Sequence, residues 1–164
     1  MRQARPYDAP AIAELMRQVA EAGFSFASPE EVDEQRVLRD LEEGLGLRIV
    51  AERAGGELAG YLKLDPGRYV SSSRTARLQM GVRRDLQGKG IGKELLRAAI
   101  AWAEAGAVDR IEVFVRATNG RALKLYERFG FVEEGRLRQR VRQPDGRRID
   151  DVVLGRLCDR AQAP

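Results

Sequence analysis

The chain has 164 residues, 43% of them apolar and 33% charged, with 29 Lys and Arg against 25 Asp and Glu. This is the composition of a globular protein, expected as one domain over residues 1–164 with a real core, and no apolar run approaches the ~20 residues that cross a bilayer. There is no histidine and only one cysteine, Cys158, which excludes Ser-His-Asp and Cys-His catalysis, His-ligated metals, Cys-rich zinc sites and an intrachain disulfide. Chemistry must therefore run on carboxylates, tyrosine, amides and backbone, and no metal is expected. The N-terminus, MRQARPYDAP, has no apolar signal-peptide stretch, so a cytoplasmic protein is expected. Only four of the 29 cations are lysine. Arginine bias suits nucleic-acid contact, but a GC-rich genome produces the same bias, so nucleic acid is not the expected partner.

Apolar residues Ile12, Leu15, Met16 and Val19 recur at helical spacing over 9–22, and Gly23 stops them. A second helix is expected from Ser28 as N-cap, with Pro29 in the first position, Glu31 closing a capping box, and glycines 44 and 46 ending it. "LRIVAERAGGELAGYLKLD" reads as strand, Gly-Gly turn, strand, and a third strand runs from about Thr75 to Val82. Ile91, Leu95, Ala98, Ala99, Trp102 and Ala103 form one face of a helix closed by Gly106. "RIEVFV" (110–115) is a strand, "GRALKLYERFG" (120–130) a helix, and two strands flank the turn Pro144-Asp145-Gly146. The order β-α-α-β-β-β-α-β-α-β-β makes an α/β domain with a mixed sheet. Cys158 falls among apolar strand residues and is expected to pack.

Between the third strand and the third helix lies "LQMGVRRDLQGKGIGKELL" (78–96), with glycines at 88, 90 and 92 and lysines at 89 and 93. Glycines let backbone approach a bulky anion, and a helix N-terminus offers it unpaired N–H groups. A Walker A loop fails twice, because Gln87 stands where glycine is required and Glu94 where the magnesium-binding hydroxyl would be. A Rossmann loop fails on spacing, since 88/90/92 reads G-x-G-x-G. What fits is Q-x-x-G-x-G over Gln87-Gly88-Lys89-Gly90-Ile91-Gly92. Downstream, "NGRALKLYERFGF" (Asn119 to Phe131) fits N-x-x-A-x-x-L-Y-x-x-x-G-F.

These two motifs, with this element order, resemble the GNAT superfamily of N-acetyltransferases over nearly the whole chain. The tail "EEGRLRQRVRQPDGRRIDDVVL" is similar to a branch holding ribosomal-protein, amino-acid and polyamine acetyltransferases. The resemblance implies a single-domain GNAT fold, a central mixed and mostly antiparallel sheet flanked by helices. It also implies acetyl-CoA as cosubstrate, with direct transfer to a primary amine in a ternary complex. In the family, backbone N–H groups from Gln87 to Lys93 would hold the pyrophosphate of coenzyme A; Lys89 and Lys93 would add charge, or simply be solvated. The strand end Met80-Gly81-Val82 would pair with pantetheine, an N–H there, most readily that of Met80, facing the thioester oxygen. Gly81 is expected to mark close ligand approach. Tyr126 would protonate the leaving thiolate, and Asn119 would bond the cofactor arm, cap its helix, or do both.

The general base stays open. Family members often place a glutamate on the strand before the glycine loop, where this chain has Arg77 and Gln79. Glu112 on the neighbouring strand is a candidate; Glu31 and Asp33 read as helix cap and surface. An α-amine with pKa ~7.8 costs about 1 kcal/mol to deprotonate at pH 7 and a lysine-type amine ~4–5. A site without a strong base therefore suits the α-amine of an amino acid, a peptide or a protein N-terminus. Phe24 and Phe26 would line an acceptor pocket or the core. Arg136, Arg138, Arg140 and Arg142 recur with period two and so share one face, either solvated or set for an acidic acceptor or RNA. Other readings are a different acyl-CoA donor, a polyamine or lysine-side-chain acceptor, and a noncatalytic acyl-CoA-binding module. Oligomeric state is not specified, a homodimer being compatible.

Overall fold

The computed structural model describes residues 1–21, 29–67, 74–143 and 145–158. Its elements are β1 (Arg2–Gln3), α1 (Ala9–Glu21), α2 (Glu34–Glu43), β2 (Leu47–Glu52), β3 (Leu58–Pro66), β4 (Thr75–Val82), α3 (Ile91–Trp102), β5 (Arg110–Arg116), α4 (Gly120–Arg128), β6 (Val132–Arg142) and β7 (Arg148–Leu157). The order is the expected one. Seven strands form one sheet in the order β1-β2-β3-β4-β5-β7-β6, and every pairing is antiparallel except β4 with β5. No described helix is long and apolar enough to cross a membrane.

Alternation along the strands divides the apolar residues between two layers. Leu62, Leu64, Leu78 and Ile111 point to one face and are fully buried under Leu95 and Leu96 of α3, with Tyr126 of α4 in the same cluster. Val50, Leu58 and Tyr61 belong to the other face, under Ile12 and Leu15 of α1 and Val37 of α2. Cys158, just past β7, is buried in the α3–α4 layer, where it packs as expected.

The sheet is open in the middle. β4 pairs with β3 along its length, from Ala76 opposite Pro66 to Val82 opposite Gly60. It pairs with β5 only at Thr75–Arg110, Ala76–Ile111 and Arg77–Glu112. β5 meanwhile stays with β7 from Arg110 to Arg116. The two parallel strands therefore part after Arg77 and Glu112, and the β5-facing edge of residues 78–82 has no strand partner among the described residues.

Two local expectations are corrected. Pro29–Glu31 is a single 3-10 turn, and α2 starts later, at Glu34, with Asp33 as the cap accepting from Gln35 N at 2.9 Å. Val32 is the cause: it is buried against α1, and Asp33 behind it is extended (φ −100°), so the chain cannot run on as one helix. Ser28 lies outside the described residues. The second correction concerns the arginines of β6. The register slips between Leu137 and Val141, where Gln139 has φ +53° and its N–H donates to Asp150 Oδ1. That bulge changes the parity of the strand. Arg136, opposite Val152, stays on the α3–α4 face, whereas Arg140 reaches Asp151 (3.4 Å) and the Phe114 ring on the other. The four arginines do not share one face.

Candidate active site

Leu86 is buried and anchors the turn that delivers the chain from β4 into the glycine loop. Gly88 (φ +83°) and Gly90 (φ +90°) are left-handed, and a Cβ on either would meet nothing within 4 Å. Conformation, and open space beside it, is what these two glycines supply. Gly90 caps α3 with its carbonyl, which accepts from Lys93 N and Glu94 N. The N–H groups of Gly88, Lys89, Gly90, Ile91 and Gly92 have no acceptor among the described residues. Five consecutive unpaired donors at a helix N-terminus form an anion cradle. Lys89 and Lys93 are exposed and carry no ion pair among the described residues, so they border the cradle without being locked to it. Gln87 Nε2 donates to Val82 O at 3.0 Å, and Arg121 in the first turn of α4 donates to Gln87 Oε1. The Gln87 amide thus ties the end of β4 to α4 across the mouth of the open sheet. Arg121 was not expected from sequence; its only signal there is a cation in the first turn of a helix, where the macrodipole disfavours it.

Behind the loop, a cleft of about 1610 Å³ runs through the gap between β4 and β5. Leu78, Gln79, Met80 and Gly81 line one wall, Glu112 to Val115 the other, and Asn119, Ala122 and Tyr126 close it from α4. Gly81 also has a packing reason: a Cβ there would sit 2.9 Å from Leu15 Cδ2 and 3.1 Å from Val19 Cγ2 of α1. Gly92 lets α3 pack closely, its Cβ position being 3.4 Å from Leu125 and 3.7 Å from both Met80 Cε and Val82 Cγ2. Asn119 Oδ1 caps α4 by accepting from Ala122 N at 3.1 Å, which leaves its Nδ2 with no partner among the described residues.

Tyr126 is 4% exposed, edge-on to Phe131 at 5.2 Å, and its hydroxyl makes no hydrogen bond to a described residue. Burial pushes its phenol well above the ordinary value, so it is neutral at any physiological pH. Glu112 lies on the opposite side of the sheet opening, with α1 and α2, and is bonded to Arg77 at 3.2 Å. Arg77 also lies over the Phe114 ring at 4.7 Å. Glu31 and Asp33 line the outer cleft, Asp33 as the cap of α2. Phe24 and Phe26 lie outside the described residues. Cys158 is not a cleft residue, and no serine or cysteine lines the cleft among the described residues.

The acetyltransferase (GNAT) family model matches residues 11–131. YwnH of Bacillus subtilis (strain 168) is 32% identical over 109 residues, 65% of this chain and 66% of that protein. The L-methionine sulfoximine/L-methionine sulfone acetyltransferase of Pseudomonas aeruginosa is 34% identical over 103 residues, 62% of this chain and 59% of that enzyme. The matches thus span between about three fifths and two thirds of these two relatives' lengths. The structure of yncA from Salmonella typhimurium with its cofactor acetyl-CoA has a TM-score of 0.86 at 23% identity, covering 99% of this chain and 95% of that one, a likeness of fold. With the family model covering most of its length, and both motifs on the elements where they belong, the chain belongs to the acetyltransferase (GNAT) family.

Proposed function

We propose that residues 1–164 act as one acetyl-CoA-dependent N-acetyltransferase, moving the acetyl group to a primary amine by direct attack in a ternary complex. The observation that carries this reading is the run of unpaired N–H donors from Gly88 to Gly92 at the mouth of the β4–β5 gap, with Tyr126 inside it. The donors suit a pyrophosphate. The unpartnered β4 edge suits an extended arm carrying amides, and Asn119 Nδ2 is free to bond it. Coenzyme A has both parts, and its thioester supplies the activated acetyl group. Met80, in the middle of the free edge, is the residue whose N–H polarises the thioester oxygen.

The steps balance as follows. The acceptor ammonium gives one proton to water or to Glu112. The neutral nitrogen then attacks the thioester carbon, a C–N bond forms, and the C–S bond breaks. The nitrogen loses a second proton, and the thiolate takes one from Tyr126, which recovers it from solvent. Burial raises the phenol of Tyr126, but the same desolvation raises the pKa of a thiolate beside it, so the two remain matched. An α-amine is the favoured acceptor, because it needs little help to lose its first proton. A cytosolic enzyme, able to draw on the acetyl-CoA pool, fits this reading.

Thiol release from acetyl-CoA, measured across amino acids, N-terminal peptides, lysine side chains and polyamines, tests it. Wild type is expected to turn over α-amines, and Tyr126→Phe to lose about 10²-fold or more in kcat, the scale of general-acid catalysis. Cofactor binding without release for any amine would favour a noncatalytic acyl-CoA-binding module. Equal rates in Tyr126→Phe would remove the proposed acid.

A further inference from the structure

At the closed end of the β4–β5 gap, Arg77 and Glu112 face each other in the last register where the strands pair. Arg77 Nε and Nη2 both donate to Glu112 Oε1, at 3.3 and 3.2 Å. Arg77 Nη1 and Glu112 Oε2 have no hydrogen-bond partner among the described residues. Of the other cations lining the cleft, Lys63 and Arg48 are held by Asp40 and Asp65, Arg110 by Glu134 and Arg39 by Asp33, while Arg36, on α2 and away from the strand pair, has no ion pair among the described residues. The pair is also oriented. Arg77 is set over the Phe114 ring at 4.7 Å, and Glu112 is only 25% exposed at the cleft wall. One free donor edge and one free acceptor edge therefore stand side by side, on the α1–α2 side of the opening and across the sheet from Tyr126.

Resting on the acetyltransferase reading, we propose that this ion pair is the acceptor subsite and that it selects free α-amino acids. An α-amino acid carries its ammonium and carboxylate on one carbon, so the two charges present themselves together, as the ion pair does, with opposite signs. The carboxylate takes the free Nη1 edge of Arg77, a charge-assisted and potentially bidentate contact. The amine takes Glu112 Oε2, which places it at the closed end of the gap that leads to Met80. A peptide N-terminus offers the amine but only a neutral carbonyl beside it. A polyamine brings further positive charge toward Arg77. Both are disfavoured by the same geometry, through a missing partner in one case and repulsion in the other.

The test compares small L-amino acids with their C-terminal amides and with the decarboxylated amines, in wild type, Arg77→Gln and Arg77→Lys. Wild type is expected to prefer the acid over its amide by about tenfold or more in kcat/KM, as expected for losing a charged hydrogen-bond partner. In Arg77→Gln that ratio collapses through KM for the acceptor, and Arg77→Lys restores part of it. Arg77 is half-exposed, and coenzyme A titration verifies that each variant is folded. Equal use of acid and amide by wild type, or a uniform loss on all acceptors in Arg77→Gln, would overturn the subsite. Should no amine support thiol release, the acetyltransferase reading fails separately. The subsite is then judged by calorimetric binding of amino acid against amide to the coenzyme A complex, where equal affinities overturn it.

Discussion

Tyr126 is buried at 4% exposure and its hydroxyl is unbonded among the described residues, so its role is set by what enters the cleft. In the proposed mechanism burial keeps the Tyr126 phenol raised, so the acid does not titrate in the working range. The pH dependence then belongs to the amine. For an α-amine, kcat/KM is expected to rise about tenfold per pH unit up to ~7.8 and then level, with no fall below ~10. A profile falling between 8 and 9 would contradict a neutral, burial-raised Tyr126. The cradle makes a different prediction. Its donors are backbone groups, so Lys89→Ala with Lys93→Ala is expected to weaken coenzyme A binding modestly. Gly90→Val, which puts a β-branched residue at φ +90°, is expected to abolish most of it in a calorimetric titration. At this scale the sequence showed the glycines, Asn119 and Tyr126, because each is tied to a local motif. It could not show that Glu112 meets Arg77, or that Arg121 meets Gln87: each pair lies more than thirty residues apart and is joined only by the sheet or the helix packing.

Strands and helices follow the periodicities closely, and their departures have local causes. β4 was legible to the residue, since it is apolar on alternate positions and bounded by a turn. The start of α2 was not, because three capping signals before it compete with one buried valine, and tertiary packing decided. The β6 bulge was equally hidden. An unbroken alternation of arginine carries no sign that Gln139 leaves the ladder. Close approach between elements is where substitutions are most telling. Gly81→Val is expected to cost about 1–3 kcal/mol of stability by overpacking against Leu15 and Val19, read as a lower midpoint in denaturant. In Gly155 the missing side chain leaves room for the Arg110–Glu134 pair to cross β7. Gly155→Ala is expected to break that pair while costing little, since the pair is on the surface.

For the whole molecule, the parting of β4 from β5 joins fold to chemistry. It creates a free backbone edge, lets α4 insert Tyr126 from one layer, and leaves Glu112 facing the other. The element order announced an α/β sheet with a β4–α3–β5 crossover, but how many residues the parallel strands share is a matter of tertiary geometry that no local pattern encodes. Charge sets the pH limits of this assembly. Hydrogen bonds from Arg2 hold the Asp8 carboxyl below its ordinary value, and Arg48 and Lys63 do the same for Asp40 against the opposing effect of burial. Their stabilisation is present above the unfolded value near ~3.9 and is lost as pH falls through the lower folded values. Tyr61 and Tyr126, both raised chiefly by burial, stabilise below ~10, and that contribution is lost at higher pH. A melting profile flat between about pH 5 and 9 and falling on both sides is the expected result.

No serine or cysteine lines the cleft among the described residues, and Cys158 is buried away from it, its thiol raised by burial. The proposed direct transfer needs no acetyl-enzyme, and initial velocities with acetyl-CoA and an α-amine varied together test it most directly. Intersecting double-reciprocal lines are expected. Parallel lines, with an acetyl group retained on the protein when acetyl-CoA is supplied alone, would contradict direct transfer in a ternary complex.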